Sequence, residues 1–164
     1  HSNVINSQRG SWMLIAHLLT TEPLVADAPA RSLCGRCSAC IDACPTTAIR
    51  EPFVVDSNRC LAYHTIENRE SQLPEAIRSA LGPWIAGCDI CQDVCPWNHR
   101  NLPVSEEPEL QPKAWMLDLK RDDLLQWDDA TWDERLRGSA LRRIKPWMWR
   151  RNATAAEPDQ APTL

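Results

Sequence analysis

Residues 33–45 read LCGRCSACIDACP, with Cys34, Cys37, Cys40 and Cys44 spaced C-x2-C-x2-C-x3-C and a proline after the last. A second run, GCDICQDVCPWN, carries Cys88, Cys91 and Cys95, again followed by a proline, and Cys60 stands alone between the runs. Crowded thiols serve few purposes. A disulfide framework belongs to oxidising compartments, and cysteines two residues apart on a helical turn meet the geometry of an S–S bond badly. A tetrahedral zinc closes two C-x2-C pairs but leaves a run of four unexplained.

Iron–sulfur chemistry accounts for the run. C-x2-C-x2-C-x3-C-P is the bacterial ferredoxin spacing, in which the fourth cysteine ligates the other of two clusters. A cubane takes four thiolates, so the eight cysteines fill two cubanes with none left over. Cys34, Cys37 and Cys40 wrap one cluster, while three intervening residues carry Cys44 away and Pro45 stops any helix there. The second run, aligned from its proline, is one cysteine short. Crossing over in the same way, Cys95 completes the first cluster. Cys44, Cys88 and Cys91 then need a fourth ligand, and Cys60 is the thiol that remains. Two cubanes sharing their ligand runs sit close together, as an electron relay requires.

The elements that must position these thiols are short. WMLIAHLL, residues 12–19, reads as a buried strand, and EPLVADAPA as a proline-bearing connector. FVV is a short strand, and Asp56 or Ser57 can cap a helix through NRCLAYHTIE, placing Cys60 on its first turns. PEAIRSAL has proline at its start and Gly82 beyond its end. CDICQDV gives a turn or two of helix stopped by Pro96. Residues 103–112 are rich in proline and glutamate and read as linker. Further on, KRDDLLQW and TWDERLRG read as helices, the latter with Thr131 and Glu134 as a capping box. SALRRIKPWMWRR follows with Ser139 as N-cap, and Pro146 should kink or stop it.

The net charge of −4 hides an asymmetry. From Arg135 to Arg151 there are seven basic residues and no acid, interleaved with Trp147 and Trp149, after an acidic stretch at 118–134. Guanidinium groups suit phosphates and aromatic faces stack on unpaired bases. The plainer alternative is a solvated basic helix face with its tryptophans packed inward. His17, His64 and His99 lie in no metal-ligand spacing with one another. No Gly-rich phosphate loop, Ser-His-Asp pattern or HExxH motif is present, and no window reaches the roughly 18 apolar residues of a membrane span. No signal peptide is visible. The chain opens at His1, without a methionine and inside what reads as folded sequence, which predicts a fragment.

These segments together resemble the epoxyqueuosine reductase family. The resemblance rests on NxxxGSW at Asn6 to Trp12, on CGRCSACIDACPTTAI, VVDSNRCLAYHTIE, LPEAIRSALGPWIAGCDICQDVCPWN and GSALRRI, and covers residues 1–152. It implies an oxidoreductase of queuosine biosynthesis whose cobalamin domain precedes a two-cluster ferredoxin-like module, similar in architecture to reductive dehalogenases. Electrons pass through the clusters to cobalamin, and the epoxide of epoxyqueuosine at the tRNA wobble position becomes the cyclopentene of queuosine, with release of water. By this resemblance all eight cysteines are cluster ligands, Asp89 and the backbone around Ala62 lie near cobalamin, and Ser139, Arg142, Arg143 and Asn152 contact tRNA. The family's proton donor, an aspartate, is not in this sequence. His64 departs from a commonly apolar position, Pro146 interrupts a helix that relatives continue, and no helical repeats follow the tail.

The expected architecture is α+β: a ferredoxin-like module with two 4Fe–4S clusters, mostly short helices and loops, and a small helical C-terminal tail. Its divisions are a remnant of the cobalamin domain with connector (1–32), the cluster module (33–100), a linker (101–117), a basic tRNA-contacting tail (118–152) and a disordered end (153–164). The expected partners are tRNA carrying epoxyqueuosine and an external flavodoxin- or ferredoxin-like electron donor, with the chain a cytoplasmic monomer away from membranes. Two alternatives differ in class. A free-standing two-cluster electron carrier would bind neither corrin nor RNA, and an RNA-binding module with structural zinc would be colourless.

Overall fold

The computed structural model describes residues 1–157. It is a small α+β unit in which short helices dominate and one hairpin supplies the sheet. The hairpin pairs β1 (Ile49–Glu51) with β2 (Val54–Val55) antiparallel, Ile49 opposite Val55, and its tip carries Phe53 at a positive φ of 69°.

The two cysteine runs fold alike. Each has a one-turn helix between its third-last and last thiols, α1 (Ala39–Asp42) in the first and α4 (Ile90–Asp93) in the second, and the two pack against each other. Neither helix can continue. Pro45 and Pro96 lack the N–H of a next helical turn, so Cys44 and Cys95 leave their helices and cross to the opposite side.

Between the runs, Asp56 accepts a hydrogen bond from the Asn58 N–H and opens a 3₁₀ turn, Ser57–Arg59. Helix α2 (Leu61–Ile66) then starts with Cys60 as its N-cap, so Cys60 precedes the helix rather than riding on its first turns. Helix α3 (Glu75–Ser79) begins after Pro74 and is followed by Gly82 at φ 54°, the expected proline–glycine asymmetry.

The C-terminal part packs onto the cluster module. Helices α6 (Arg121–Leu125), α7 (Asp129–Leu136) and α8 (Pro146–Ala155) enclose Leu124, Trp127, Leu136, Ile144, Met148, Trp149 and Ala153, against which Ile66, Ile85 and Ala86 also pack. A second cluster joins Leu61, Leu73, Ile77 and Leu81 to Ala156.

Several expectations change. WMLIAHLL forms no strand: among the described residues no neighbouring strand is there to pair with, and Leu14, Ile15, Leu18 and Leu19 stay exposed. The stretch expected as linker contains a helical turn, α5 (Ala114–Leu117), because Trp115 packs on the C-terminal core. Asp128, not Thr131, caps α7, accepting the Thr131 N–H at 2.7 Å. Pro146 kinks nothing: Ser139 caps a separate 3₁₀ turn, Ala140–Arg143, and Pro146 opens α8, where a missing N–H costs no bond. The expected disorder from 153 fails over its first residues, since α8 runs to Ala155 and both Ala153 and Ala156 are buried. The rest of that expectation, from 158 on, lies outside the described residues. Among the described residues no helix is long and apolar enough to cross a membrane.

Candidate metal centres and the face beside them

Two cavities divide the eight thiols. One, of about 130 Å³, is lined by Cys34, Cys37, Cys40 and Cys95 together with Pro96 and Trp97. The other, of about 220 Å³, is lined by Cys44, Cys60, Cys88 and Cys91 together with Ala62 and the hairpin residues Ile49 and Val55. Each run thus lends its last cysteine to the other's cavity, and all eight are free thiols. The sulfurs surround space rather than converge: among the described residues no group of three or more His, Cys, Asp or Glu side chains is placed to share a single ion. Walls of four thiols around a cavity suit a polynuclear cluster better than one tetrahedral zinc.

The electrostatics ask for a cation. Burial pushes the Cys88 thiol up to about 12, with Cys91, Cys60 and Cys44 adding repulsion, and burial likewise raises Cys91. For Cys44 burial also acts upward, but backbone N–H groups led by Ala48, 3.2 Å from its sulfur, outweigh it and the thiol ends below its usual value. Thiols raised in this way, Cys88 and Cys91, become thiolates once metal supplies the positive charge.

The walls are held by bonds that spacing alone does not reveal. Gly10, at φ 67°, lies so close to Asn98 that a Cβ there would collide with its side chain. Ser11 N–H donates to Asn98 Oδ1 (2.8 Å), while Asn98 Nδ2 donates to Ser11 Oγ and to the Gln92 carbonyl. The GSW stretch is thereby bolted to the PWN that follows Cys95. Asn3 donates to the Cys91 carbonyl at 3.0 Å.

Around the second cavity, TIE is a set of three ties. Thr65, fully buried, accepts the Gly87 N–H at 3.0 Å, directly before Cys88. Ile66 packs on the C-terminal core, and Glu67 pairs with Arg143. His64 is a satisfied buried histidine: Nε2 faces the Asn58 carbonyl (2.8 Å), and Nδ1 faces the Asn68 amide (2.9 Å).

The residues expected beside cobalamin both fall by the second cavity. Ala62 lines it, and Asp89 is the N-cap residue of α4 between Cys88 and Cys91. Burial first, then the nearby Asp93, holds the Asp89 carboxyl above its ordinary value.

The expected RNA-contacting residues do not share one environment. Arg142 is half-buried, 4.4 Å over Trp132 and paired with Asp133 at 2.5 Å. Arg143 is open to solvent and pairs with Glu67. Ser139 is spent on its cap, accepting the Leu141 N–H. Asn152 is a correction. It is 0% exposed, and its amide donates to the carbonyls of Thr65 and Ile85, both at 2.8 Å, so it ties α8 to the second cavity and presents nothing to RNA. Arg151 acts beside it, donating to the carbonyls of His64, Asn68 and Glu70 at the end of α2. Trp149 is core, whereas Trp147 stays partly open beneath Arg151.

Thiols grouped in this way mark a 4Fe–4S protein, and residues 33–98 match the family described as a 4Fe-4S double cluster binding domain. The particular relatives are epoxyqueuosine reductases. The chain is 73% identical over all 164 residues to the epoxyqueuosine reductase of Synechococcus sp. (strain CC9605), covering 51% of it. With that of Aliivibrio fischeri it shares 40% identity over 95% of its own length and 42% of the relative's. The Bacillus subtilis epoxyqueuosine reductase structure superposes with a TM-score of 0.85 at 28% identity, over 93% of this chain and 40% of that one. An epoxyqueuosine reductase crystallised with an epoxyqueuosine-modified tRNA-Tyr stem loop matches with the same figures. Along its whole length the chain is similar to the Synechococcus epoxyqueuosine reductase, and it spans about half the length of the curated relatives it matches.

Proposed function

We propose that this chain is the electron-relaying part of a cytoplasmic enzyme that reduces epoxyqueuosine to queuosine in the tRNA anticodon. The observation that carries the reading is the division of eight thiols between two adjoining cavities by crossed ligand runs. Cys34, Cys37, Cys40 and Cys95 would hold one 4Fe–4S cluster, and Cys44, Cys60, Cys88 and Cys91 the other. Cobalamin, when bound, would supply the reductant of the epoxide, a reaction that consumes two electrons and two protons and yields an alkene and water. For their part, the residues of this chain hold clusters in line, keep water from the second through the buried Ile49 and Leu61, and place Ala62 and Asp89 where a corrin could rest. Arg142 and Arg143 would meet the phosphates of the anticodon stem. A free-standing two-cluster carrier has no use for α8 and its ties to α2, which favours the enzyme.

The test has two stages. Anaerobic reconstitution of the chain should give about eight irons and eight sulfides. The whole protein, supplied with cobalamin and a low-potential reductant, should convert an epoxyqueuosine stem loop to queuosine by mass spectrometry. Stoichiometric zinc, or loaded protein that leaves the epoxide intact, would sink the reading.

A further inference from the structure

The surroundings of the two cavities differ in charge. No acidic residue occurs from 28 to 41 or from 94 to 105, the segments that supply the walls of the first cavity, whereas Arg31, Arg36, His99 and Arg100 do. The segments around the thiols of the second cavity are mixed in charge: Asp89 and Asp93 lie beside Cys88 and Cys91, Arg59 precedes Cys60, Asp56 pairs with Arg50, and Glu67 pairs with Arg143. The first cavity also reaches the surface. Cys37 is the exposed member of the eight cysteines, and Arg36 beside it is exposed.

The basic groups are assembled there by bonds. Trp97, a wall of the first cavity, donates its indole N–H to the Leu33 carbonyl at 3.0 Å, which brings the segment after Cys95 onto the segment before Cys34. Arg100 stacks on the outer side of this joint, its guanidinium carbon 4.0 Å from the Trp97 ring centroid. Arg31 lies two residues before Leu33 and is exposed, as is Arg100. Among the described residues none of Arg31, Arg36 and Arg100 forms an ion pair, and Asp42, the nearest carboxylate along the chain, is bonded to Ser38 at 2.6 Å. The basic stretch of the tail is different, with Arg137, Arg142 and Arg143 all paired to carboxylates.

We infer that the face formed by Arg31, Arg36 and Arg100 around the exposed Cys37 is the docking surface for an acidic one-electron carrier protein, and that electrons enter at the first cluster. This rests on the clusters proposed above. Guanidinium groups without carboxylate partners, on a chain of net charge −4, give an anionic partner an attractive approach to the first cavity. Cys37 ends that approach at a cluster ligand, and the crossed ligands lead inward to the second cluster. One electron leaves the reduced carrier and one is gained by the first cluster; no bond forms or breaks. The second cavity, which Ala62 lines, is left for the acceptor.

The probe is an acidic flavodoxin in its hydroquinone form, mixed anaerobically with the cluster-loaded chain. In Arg36→Glu with Arg100→Glu, the second-order rate of cluster bleaching should fall at least about tenfold at low salt. The difference should close towards 1 M salt, where charges beyond about 3 Å are screened. Binding of labelled flavodoxin to the same variant, read by fluorescence anisotropy, should weaken in parallel. Each single variant, Arg36→Glu or Arg100→Glu, should show part of this loss, whereas Arg78→Glu, the same two-charge change on α3, should alter neither. Photoreduced deazaflavin, small and uncharged, should bleach all variants alike, which shows the clusters intact. Wild-type flavodoxin binding and rate in the double variant, with normal deazaflavin reduction, would overturn the docking face and leave the relay standing. Failure of deazaflavin to reduce the wild-type chain would overturn both. A variant that loses tRNA stem-loop affinity but keeps its flavodoxin rate would assign these arginines to RNA and overturn the proposal.

Discussion

At the residue scale, Cys60 and Cys95 carry the sharpest consequences, because each stands apart from the thiols with which it shares a cavity. Cys60→Ser should leave the chain with about half its iron, all of it in the set of Cys34, Cys37, Cys40 and Cys95, and Cys95→Ser should spare the other set. Iron assays with electron paramagnetic resonance of the reduced protein check both; full iron in either variant would break the division. Asn152 carries a different expectation. Its amide satisfies two carbonyls in a site closed to water, so Asn152→Leu should cost about 2–4 kcal/mol in denaturant unfolding, in line with about 1–3 per orphaned group. The cost should appear without tRNA present.

At the element scale the cysteine module is a set of one-turn helices too short to stand alone, held by side chains that bond across loops. Gly10→Ala tests one such joint. At a φ of 67° a Cβ is strained, and here it would also strike Asn98, which bonds Ser11 and the Gln92 carbonyl. Bleaching of the loaded protein in air should quicken, with Cys91 and Cys95 freed from their anchors; unchanged bleaching would mean that GSW is decoration. How far the fold was legible follows the same division. Cysteine spacing and proline stops are local rules, so the crossing of Cys44 and Cys95 could be read from sequence. Which strand would pair with residues 12–19, or whether Trp115 would find a core, depends on distant partners that no local pattern names. The role of Pro146 is hidden for a related reason: its effect differs between a helix interior and a first turn, and only the break at Ile144 and Lys145 decides which applies.

At the scale of the whole molecule, the tail and the cluster module are joined through α2. Cys60 opens this helix, while Glu67 and the carbonyls of His64, Asn68 and Glu70 at its far end receive Arg143 and Arg151. Of the seven basic residues from Arg135 to Arg151, Arg151 is consumed by this joint, and Arg150 donates to the Trp127 carbonyl. Arg142 and Arg143 remain as the candidates for phosphate, and each holds a carboxylate in the absence of RNA. Arg143 is open to solvent and Arg142 only half-buried, and ion pairs so near water contribute little to stability. Replacing both arginines by alanine in the whole protein should therefore leave unfolding nearly unchanged. If they meet phosphates, tRNA affinity should fall across sequences, and the slope of log K against log salt should flatten by about one per lost contact. Charge balance alone makes the opposite forecast. Removing cations that merely neutralise Asp133 and Glu67 would leave the salt slope where it was. Arg143 gives a further check through Glu67, whose carboxyl it holds below the usual range by a direct hydrogen bond. In Arg143→Ala the Glu67 titration followed by NMR should move up toward its ordinary value. In the wild type, saturating RNA should produce the same upward move if phosphate draws Arg143 away. A Glu67 titration that ignores RNA, together with an unchanged salt slope, would assign Arg143 to the joint between tail and cluster module and remove it from the substrate face.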